Sequence, residues 1–448
     1  MVNLRLEAVI HVPSGAYIGA TLKTKEDGME KLKMAPEKRW KRAATILTLG
    51  AAMLAPVSAG MAQGHLKEVK LAVVVPLSGP WARNGELHLK GAQAAVEDIN
   101  AAGGIKALGG AKIRLLAIDA GDTVEKAKNA AQRMLADNPD LVGGTGSFVS
   151  SFTLAITEMT ERAELPFLTL SYSDQINERG FKYVFQTSPT ANQQAAATLP
   201  IVMKLAREST GEAPRTVGIV MDNTASPLSF TKEMRESGFK KANLKLVVDE
   251  VFTPPLADAT SLVQRLRSTR PDFAFMLSTN VPDTKLLLEK MKEMRLGKGA
   301  IPVVTNGGHM GAPELLKVMD KETLEGVMVV IANWGGKGHE DLSASFTKRF
   351  NEPWMTQDSI STYGDMWVFK EAMEQAGSAD RRKVAEAIRS LDTTEGPARF
   401  YAGGRLKFDE KGRRVGAETV VLQWIGGVPL PVYPPSLAVH EPVWPRKK

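Results

Sequence analysis

The chain has 448 residues, of which 43% are hydrophobic and 24% charged, as in a folded soluble protein of two or three domains. It contains no cysteine, which excludes disulfides and thiol catalysis. Nine of the 57 Lys and Arg residues and five of the 50 Asp and Glu residues lie in residues 1–62. The remainder carries 48 basic and 45 acidic side chains, a formal charge of +3, so we expect no nucleic-acid partner and no membrane-surface binding.

Residues 1–62 are predicted to be an N-terminal extension and an export signal. Four basic residues between positions 38 and 42 precede an apolar stretch at 43–55. Small residues then allow cleavage near Ala59 or Ala62, as in secretory signal peptides. We expect an exported, periplasmic protein without a lipid anchor, since no cysteine is present to carry one. No stretch reaches about 18 uninterrupted apolar residues, so no transmembrane helix is expected in the mature chain.

The stretch 69–104 predicts a strand, a polar loop and a helix. Residues 69–75 are a β-branched apolar run of the kind buried on both faces of a parallel sheet. After the Ser78-Gly79-Pro80 turn, apolar residues recur every three or four positions at Leu89, Ala92, Val96 and Ile99. We expect Asn84 to cap this helix and Gly103-Gly104 to end it. Loops at the carboxyl ends of such strands bind ligands in open α/β sheets.

Strand and helix patterns alternate along the rest of the chain, which is typical of α/β proteins. One series ends near residue 188, and a second series of similar length follows, so we expect two lobes. Later elements are predicted as helices at 363–375 and 382–390, a hairpin at 398–408, and an extended proline-containing tail from residue 428.

Enzyme signatures are nearly absent. The chain has no phosphate-binding loop ending in Gly-Lys-Ser/Thr, no Gly-x-Ser-x-Gly elbow and no Cys/His metal spacing. His309 is the histidine nearest a predicted cleft loop, and we interpret it as a solvated loop residue. We therefore expect no catalytic residue, no metal and no cofactor.

The segment PLSGPWARNGELHLKGAQAAVEDINAAGGI resembles the opening of periplasmic solute-binding proteins of the branched-chain amino acid (leucine/isoleucine/valine-binding) ABC transporter family. The resemblance continues to roughly residue 425. It implies a two-lobed type I periplasmic-binding fold, in which each lobe is a mainly parallel sheet flanked by helices and the chain crosses between lobes three times. We assign residues 63–188 and 335–420 to the first lobe. Residues 189–334 and 421–448 are assigned to the second lobe and tail.

Two loops are predicted to hold a ligand head group. In LVGGTGSFVSS, Ser147 lies just before a helix, whose N-terminal N–H groups and dipole suit a carboxylate. The resemblance implies that Ser147 binds the ligand carboxylate; the alternative is that it only caps the helix. In the second loop, LSYSDQINERGFKYVF resembles the family's pattern, and Ser171 and Ser173 match its head-group contacts. Tyr172 is either a pocket wall or an outward-facing aromatic residue.

The chain departs from its family where an acidic residue is expected to bind the ammonium of an amino acid. The loop after the predicted strand 301–304 reads Thr305-Asn306-Gly307-Gly308, without a carboxylate. Since an unpaired buried charge is costly, we predict that the protein prefers a carboxylate or amide lacking the α-amino group over the matching amino acid, unless Asp174, Asp222 or Asp365 supplies the acid from another loop. The other candidates to line the cleft are Trp81, Phe148, Asp222, Thr279, Gly307 and Tyr363.

We interpret the chain as the periplasmic substrate-binding component of an ABC importer. Its ligand is expected to be a small amino acid, an amide, or an apolar or aromatic carboxylate, bound in the interlobe cleft. The expected partner is a permease in the inner membrane, and the protein itself is expected to be a monomer. Two alternatives remain at this point: a sensory protein of the same fold that passes occupancy to a signalling partner, and a secreted α/β hydrolase.

Overall fold

The computed structural model describes residues 66–297 and 299–444, all within one unit spanning Ala62–Lys448. The predicted export signal and its cleavage positions lie outside these residues. The strands are β1 (Glu68–Val75), β2 (Lys112–Asp119), β3 (Leu141–Gly146), β4 (Phe167–Thr169), β5 (Val184–Gln186), β6 (Thr216–Asp222), β7 (Lys245–Phe252), β8 (Phe273–Leu277), β9 (Val303–Asn306), β10 (Met328–Ile331), β11 (Asp392–Thr393), β12 (Leu406–Lys407), β13 (Val420–Ile425) and β14 (Val428–Tyr433).

Helices alternate with these strands. They are α1 (Ala82–Ala101), α2 (Val124–Asp137), α3 (Ser150–Arg162), α4 (Ala191–Thr210), α5 (Ala225–Glu233), α6 (Phe239–Lys241), α7 (Thr260–Thr269), α8 (Val281–Glu293), α9 (Leu315–Val318), α10 (Lys321–Leu324), α11 (Glu340–Phe350), α12 (Gln357–Ala376) and α13 (Arg381–Ser390). A π-helical turn, Met234–Gly238, joins α5 to α6. Among the described residues, no helix combines the length and apolar character needed to cross a bilayer.

Two sheets define two lobes. The first lobe is the parallel sheet β2-β1-β3-β4-β5 with α1–α3 and α11–α13. The second lobe is the sheet β14-β13-β10-β9-β8-β6-β7 with α4–α10, parallel except for the antiparallel strands β13 and β14. The chain passes between the lobes after β5, after β10 and after β12. The predicted two-lobed α/β class with three crossings is therefore confirmed, while the predicted lobe boundaries stay a prediction.

The alternation of side chains along β1 explains how the first sheet is covered on both faces. Odd positions pack with α1, α12 and α13, whereas even positions pack with α2 and α3. The first set is Val69, Leu71, Val73 and Val75, and the second is Ala72 and Val74. All but Val69 are 0% exposed, as the apolar run in the sequence predicts.

Helix α12 begins six residues before its predicted start. The Thr356 hydroxyl accepts a hydrogen bond from the Ser359 backbone N–H and caps the helix. Ten consecutive residues, 357–366, are buried. Periodicity missed this segment because most of its buried residues are polar, so the sequence shows no apolar stripe.

Three further expectations are wrong. Residues 398–408 do not form a hairpin, because β12 pairs with β11 instead and residues 396–400 form a 3₁₀ turn. The tail from Val428 does not simply lie over the surface, since β14 extends the second sheet as its edge strand. Asn84 does not cap α1: it is the third residue of the helix, and its side chain points inward.

Gly143 on β3 is needed for the close packing of α12 on the first sheet. A Cβ at this position would lie 2.2 Å from Cε1 of Phe369, which is fully buried. We predict that Gly143→Ala lowers the free energy of unfolding by about 1–3 kcal/mol through overpacking.

Urea unfolding of Gly143→Ala, Phe369→Leu and the double variant would measure this effect. The cost of the added methyl should be smaller in the Phe369→Leu background, giving a coupling energy between the two sites. Strictly additive losses would show that the Phe369 ring does not limit position 143.

Candidate ligand-binding site

A cavity of about 40 Å³ lies between the lobes, where the loops after β3, β4, β6, β8 and β9 meet the start of α12. Carboxyl ends of parallel strands are where open α/β sheets bind ligands. The first lobe contributes Phe148, Val149, Ser150, Leu170, Tyr172, Gln357 and Asp358. The second lobe contributes Ser226, Ser278, Thr279, Asn306, Gly307, Gly308 and His309.

One wall of the cavity carries a buried carboxylate, Asp358, in the first turn of α12. Its Oδ2 accepts a hydrogen bond of 2.7 Å from Nδ2 of Asn84, and its Oδ1 lies 3.4 Å from Nε2 of His88. Burial raises the pKa of Asp358 to about 6 and lowers the pKa of His88 to about 3, because both charged forms lose hydration. Near pH 7 the wall is therefore mainly an ionised carboxylate beside a neutral imidazole.

The imidazole of His88 is fixed by stacking. Its ring lies 4.9 Å from that of Phe148, with an angle of 10° between the planes. Within the described chain, neither ring nitrogen of His88 makes a hydrogen bond. His88 thus contacts two residues that line the cavity, the Phe148 ring and the Asp358 carboxylate.

Gln357 connects three segments at the floor of the cavity. Its Oε1 accepts hydrogen bonds from the Tyr172 hydroxyl at 2.6 Å and from the backbone N–H of Ala332 at 2.8 Å. Burial raises the pKa of the Tyr172 phenol, so the hydroxyl stays protonated and acts as a donor to Gln357. The loop after β4, the crossing after β10 and α12 are joined at this one amide.

Another part of the wall is the N-terminus of α3, which has no side-chain cap. The side chain of Ser150, in its first turn, is buried and lines the cavity, and its Oγ accepts a hydrogen bond from the Ser173 N–H. Free N–H groups at this end, together with the helix dipole, favour an anion.

Ser147 and Ser171 form a hydroxyl cluster behind that wall. Thr153 Oγ1 lies 3.0 Å from Ser147 Oγ, and Ser171 Oγ donates to the Ser147 carbonyl. Ser147 has a φ of 46°, a left-handed conformation that turns the chain into α3. Neither hydroxyl is part of the cavity wall.

Several hydrogen bonds join the two lobes around the cavity. Trp81 Nε1 donates to the Thr279 carbonyl at 3.0 Å, and the hydroxyls of Ser173 and Ser229 lie 2.9 Å apart. Arg83 of α1 also forms an ion pair of 2.6 Å with Glu314 of the second lobe. The lobes are therefore in contact, as in a closed form.

Asp222 positions one of these contacts. Its Oδ2 accepts hydrogen bonds of 2.7 Å from both the N–H and the hydroxyl of Thr279, and its Oδ1 accepts two from Thr224. The carboxylate thus holds the Thr279 loop, whose carbonyl Trp81 contacts. It is not itself part of the cavity wall.

His309 is buried rather than solvated, contrary to the expectation from its loop. It is 4% exposed, and its Nε2 lies 3.2 Å from the Thr284 hydroxyl. Burial lowers its pKa to about 3, so the ring is neutral at physiological pH.

A larger cavity of about 520 Å³ lies on the second lobe alone, between α4 and the α5–α6 segment. Its lining includes Leu199, Met203 and Met234. Because it neither joins the lobes nor lies at strand ends, we take the interlobe cavity as the candidate site.

A model of the periplasmic binding protein family matches residues 68–428. The chain belongs to the periplasmic binding protein family. The Leu/Ile/Val-binding protein homologs 8 and 7 of Brucella melitensis are 24% and 26% identical, over 88% and 84% of this chain and 98% and 93% of the relatives. The predicted resemblance is therefore confirmed.

Solved periplasmic binding proteins share the fold. The leucine-binding protein LivK from Thermotoga maritima has a TM-score of 0.68 and 21% identity, covering 81% of this chain and 97% of that chain. An R. palustris solute-binding protein solved in complex with benzoate has a TM-score of 0.69 and 16% identity, covering 84% and 99%. The expectation that the chain is not an enzyme is confirmed, since this family and these structures are solute-binding proteins.

The structure brings the residues predicted to bind ligand to different places. Four line the cavity: Phe148, Tyr172, Thr279 and Gly307. Five lie just behind its wall or at the lobe contacts: Ser147, Ser171, Ser173, Trp81 and Asp222. Tyr363 lies away from it in the first lobe's core, where its hydroxyl donates to Asp98 at 2.8 Å.

Sequence reasoning missed the acidic wall. The absence of a carboxylate after β9 suggested a cavity with few acids, with Asp174, Asp222 or Asp365 as possible substitutes; the acid that lines the cavity is Asp358 of α12. The signal was present at the helix start, where Thr356 is a favourable N-cap and Asp358 an acid in the first turn.

We predict that Trp81→Phe weakens ligand binding without removing the aromatic packing against Phe152. Losing the hydrogen bond to Thr279 should cost the closed form about 0.5–1.5 kcal/mol, or about 2- to 12-fold in affinity by calorimetry. Trp424→Phe is the matched control, because its indole N–H donates to Met310 within the second lobe. Equal losses of affinity in both variants would contradict a role for Trp81 in closure.

Proposed function

We propose that this protein is the periplasmic substrate-binding component of an ABC importer, which closes its two lobes over a small solute. The observation that carries the proposal is the interlobe cavity, whose wall comes from both lobes and whose edge is crossed by the Trp81–Thr279 hydrogen bond. Ligand that bridges the lobes favours the closed form, which an inner-membrane permease then recognises. We propose that the protein acts as a monomer.

The proposed ligand is a small amino acid, an amide, or an apolar or aromatic carboxylate. Related structures bear the names of a leucine-binding protein, an isoleucine complex and a benzoate complex, which spans this range. In this chain, the uncapped N-terminus of α3 suits the carboxylate that these compounds share. A sensory function finds no support in these relatives. Family membership implies a periplasmic location.

A thermal-shift screen of the mature protein tests the function. Amino acids, amides, aliphatic carboxylates and aromatic carboxylates should include compounds that raise the melting temperature, since a ligand at 100 times its Kd stabilises the folded state by about 2.7 kcal/mol. Small-angle scattering with and without such a compound should show a smaller radius of gyration when it is bound. Stabilisation without compaction, or turnover of the compound, would contradict the proposal.

We propose that Ser150, rather than Ser147, contributes the side-chain hydroxyl that binds the ligand carboxylate. Ser150→Ala should weaken the best carboxylate ligand of the screen by about 10- to 150-fold, the equivalent of about 1.5–3 kcal/mol for a charge-assisted hydrogen bond.

Ser147→Ala is the matched variant. Because Ser147 Oγ contacts Thr153 behind the wall, its loss should change the affinity less than about twofold while lowering stability by about 0.5–1.5 kcal/mol. The reverse order of affinities by calorimetry would restore the assignment that the sequence suggests.

A further inference from the structure

Asp358 is a buried carboxylate that faces the cavity without a full counter-charge. It is 1% exposed, and a Cβ on Gly308 of the second lobe would lie 2.3 Å from its Oδ1. The glycine thus leaves room for the carboxylate at the point where the two lobes meet. No Lys or Arg of the described chain forms an ion pair with Asp358. The basic side chain beside it is His88, whose Nε2 lies 3.4 Å from Oδ1 of Asp358.

The groups around Asp358 do not neutralise it. From α1, Asn84 donates one hydrogen bond and His88 stacks on Phe148, and the neutral amide of Gln357 on α12 gives a second hydrogen bond. The other titratable groups that line the cavity are Tyr172 and His309. Burial favours the neutral form of both imidazoles and of the phenol. A buried charge without a partner is costly, so buried carboxylates normally contact a cation.

We propose that Asp358 selects the ligand by charge, by forming an ion pair with a protonated nitrogen of the solute inside the cavity. This inference rests on the proposed function of the same site. The acidic group comes from the first turn of α12 in the first lobe, whereas Asn306 and Gly307 of the second lobe offer no charge. The preferred solutes then carry a cationic nitrogen, with a carboxylate directed to α3 when they have one. This replaces the preference for nitrogen-free carboxylates that the sequence suggested.

Ligand affinity should depend on pH if Asp358 selects by charge. A protonated nitrogen binds only the ionised form of Asp358, whose pKa burial raises to about 6. Affinity for a nitrogen-bearing ligand should thus be about fourfold weaker at pH 5.5 than at pH 7.5. The folding stability of the ligand-free protein changes with pH in the opposite direction to the affinity. Because the folded chain holds the Asp358 proton more tightly than the unfolded chain, the free energy of unfolding decreases as the pH rises from about 4 to about 6.

Three ligand pairs test the inference, each differing by a protonated nitrogen. They are leucine against 4-methylpentanoate, 5-aminopentanoate against hexanoate, and 4-(aminomethyl)benzoate against 4-ethylbenzoate. With the mature wild-type protein, calorimetry at pH 7.5 should show at least tenfold tighter binding of the nitrogen-bearing member in at least one pair. That preference should fall about fourfold at pH 5.5, a measurement that needs no variant.

Asp358→Asn keeps the shape and an acceptor for Asn84, and should abolish the preference and its pH dependence. Asp365→Asn is the control. Asp365 is a second buried carboxylate of α12, whose pKa burial also raises to about 6, but it accepts hydrogen bonds from Thr145 and Tyr401 away from the cavity. This control should retain both the preference and its pH dependence.

Two results would overturn the inference. One is an unchanged preference in Asp358→Asn. The other is tighter binding of the nitrogen-free member in every pair, with the protein still becoming more compact when ligand binds. This result would exclude charge selection by Asp358 while leaving the proposed solute-binding function intact.

Discussion

The burial of the first half of α12, residues 357–366, on every side is the constraint on which the rest of the structure depends. A helical segment with no solvent face must satisfy its polar side chains inside the protein. Ser359 and Thr362 donate to backbone carbonyls of α1, while Asp365 accepts from Thr145 of β3 and from Tyr401. The helix is thus tied by hydrogen bonds to the sheet, to α1 and to the segment before β12, so that its position in the first lobe is fixed.

The candidate site follows from where this helix begins. After the second crossing between the lobes the chain forms α11 and then returns to the cavity at the N-terminus of α12, where Gln357 and Asp358 line it. Gln357 accepts hydrogen bonds from both the loop after β4 and the crossing itself. The anionic wall and the α3 N-terminus then lie on different parts of one small cavity, an arrangement that suits a solute with two unlike polar ends.

Local pattern was sufficient to predict the α/β class and the loops at strand ends, because burial of β1 on both faces leaves a continuous apolar run in the sequence. Local pattern was not sufficient to predict that Asp358 lines the cavity. Asn84 and Asp358 are 274 residues apart, and only the packing of α1 against α12 brings them to 2.7 Å. Asn84 looked like a helix cap because its type suits that role, and the fully buried start of α12 showed no amphipathic period.

The close approach of α1 and α12 affects the order in which the two lobes contact the solute. A Cβ on Gly91 would lie 2.0 Å from the Ser359 carbonyl, so the two backbones are nearly in contact and cannot shift independently. Asn84, His88 and Asp358 all lie on this helix pair within one lobe. Their arrangement does not need the second lobe, and little conformational entropy is lost when they meet a solute. Encounter would therefore begin on the first lobe, and the second lobe, arriving later, would govern how long the solute is retained rather than how fast it is captured.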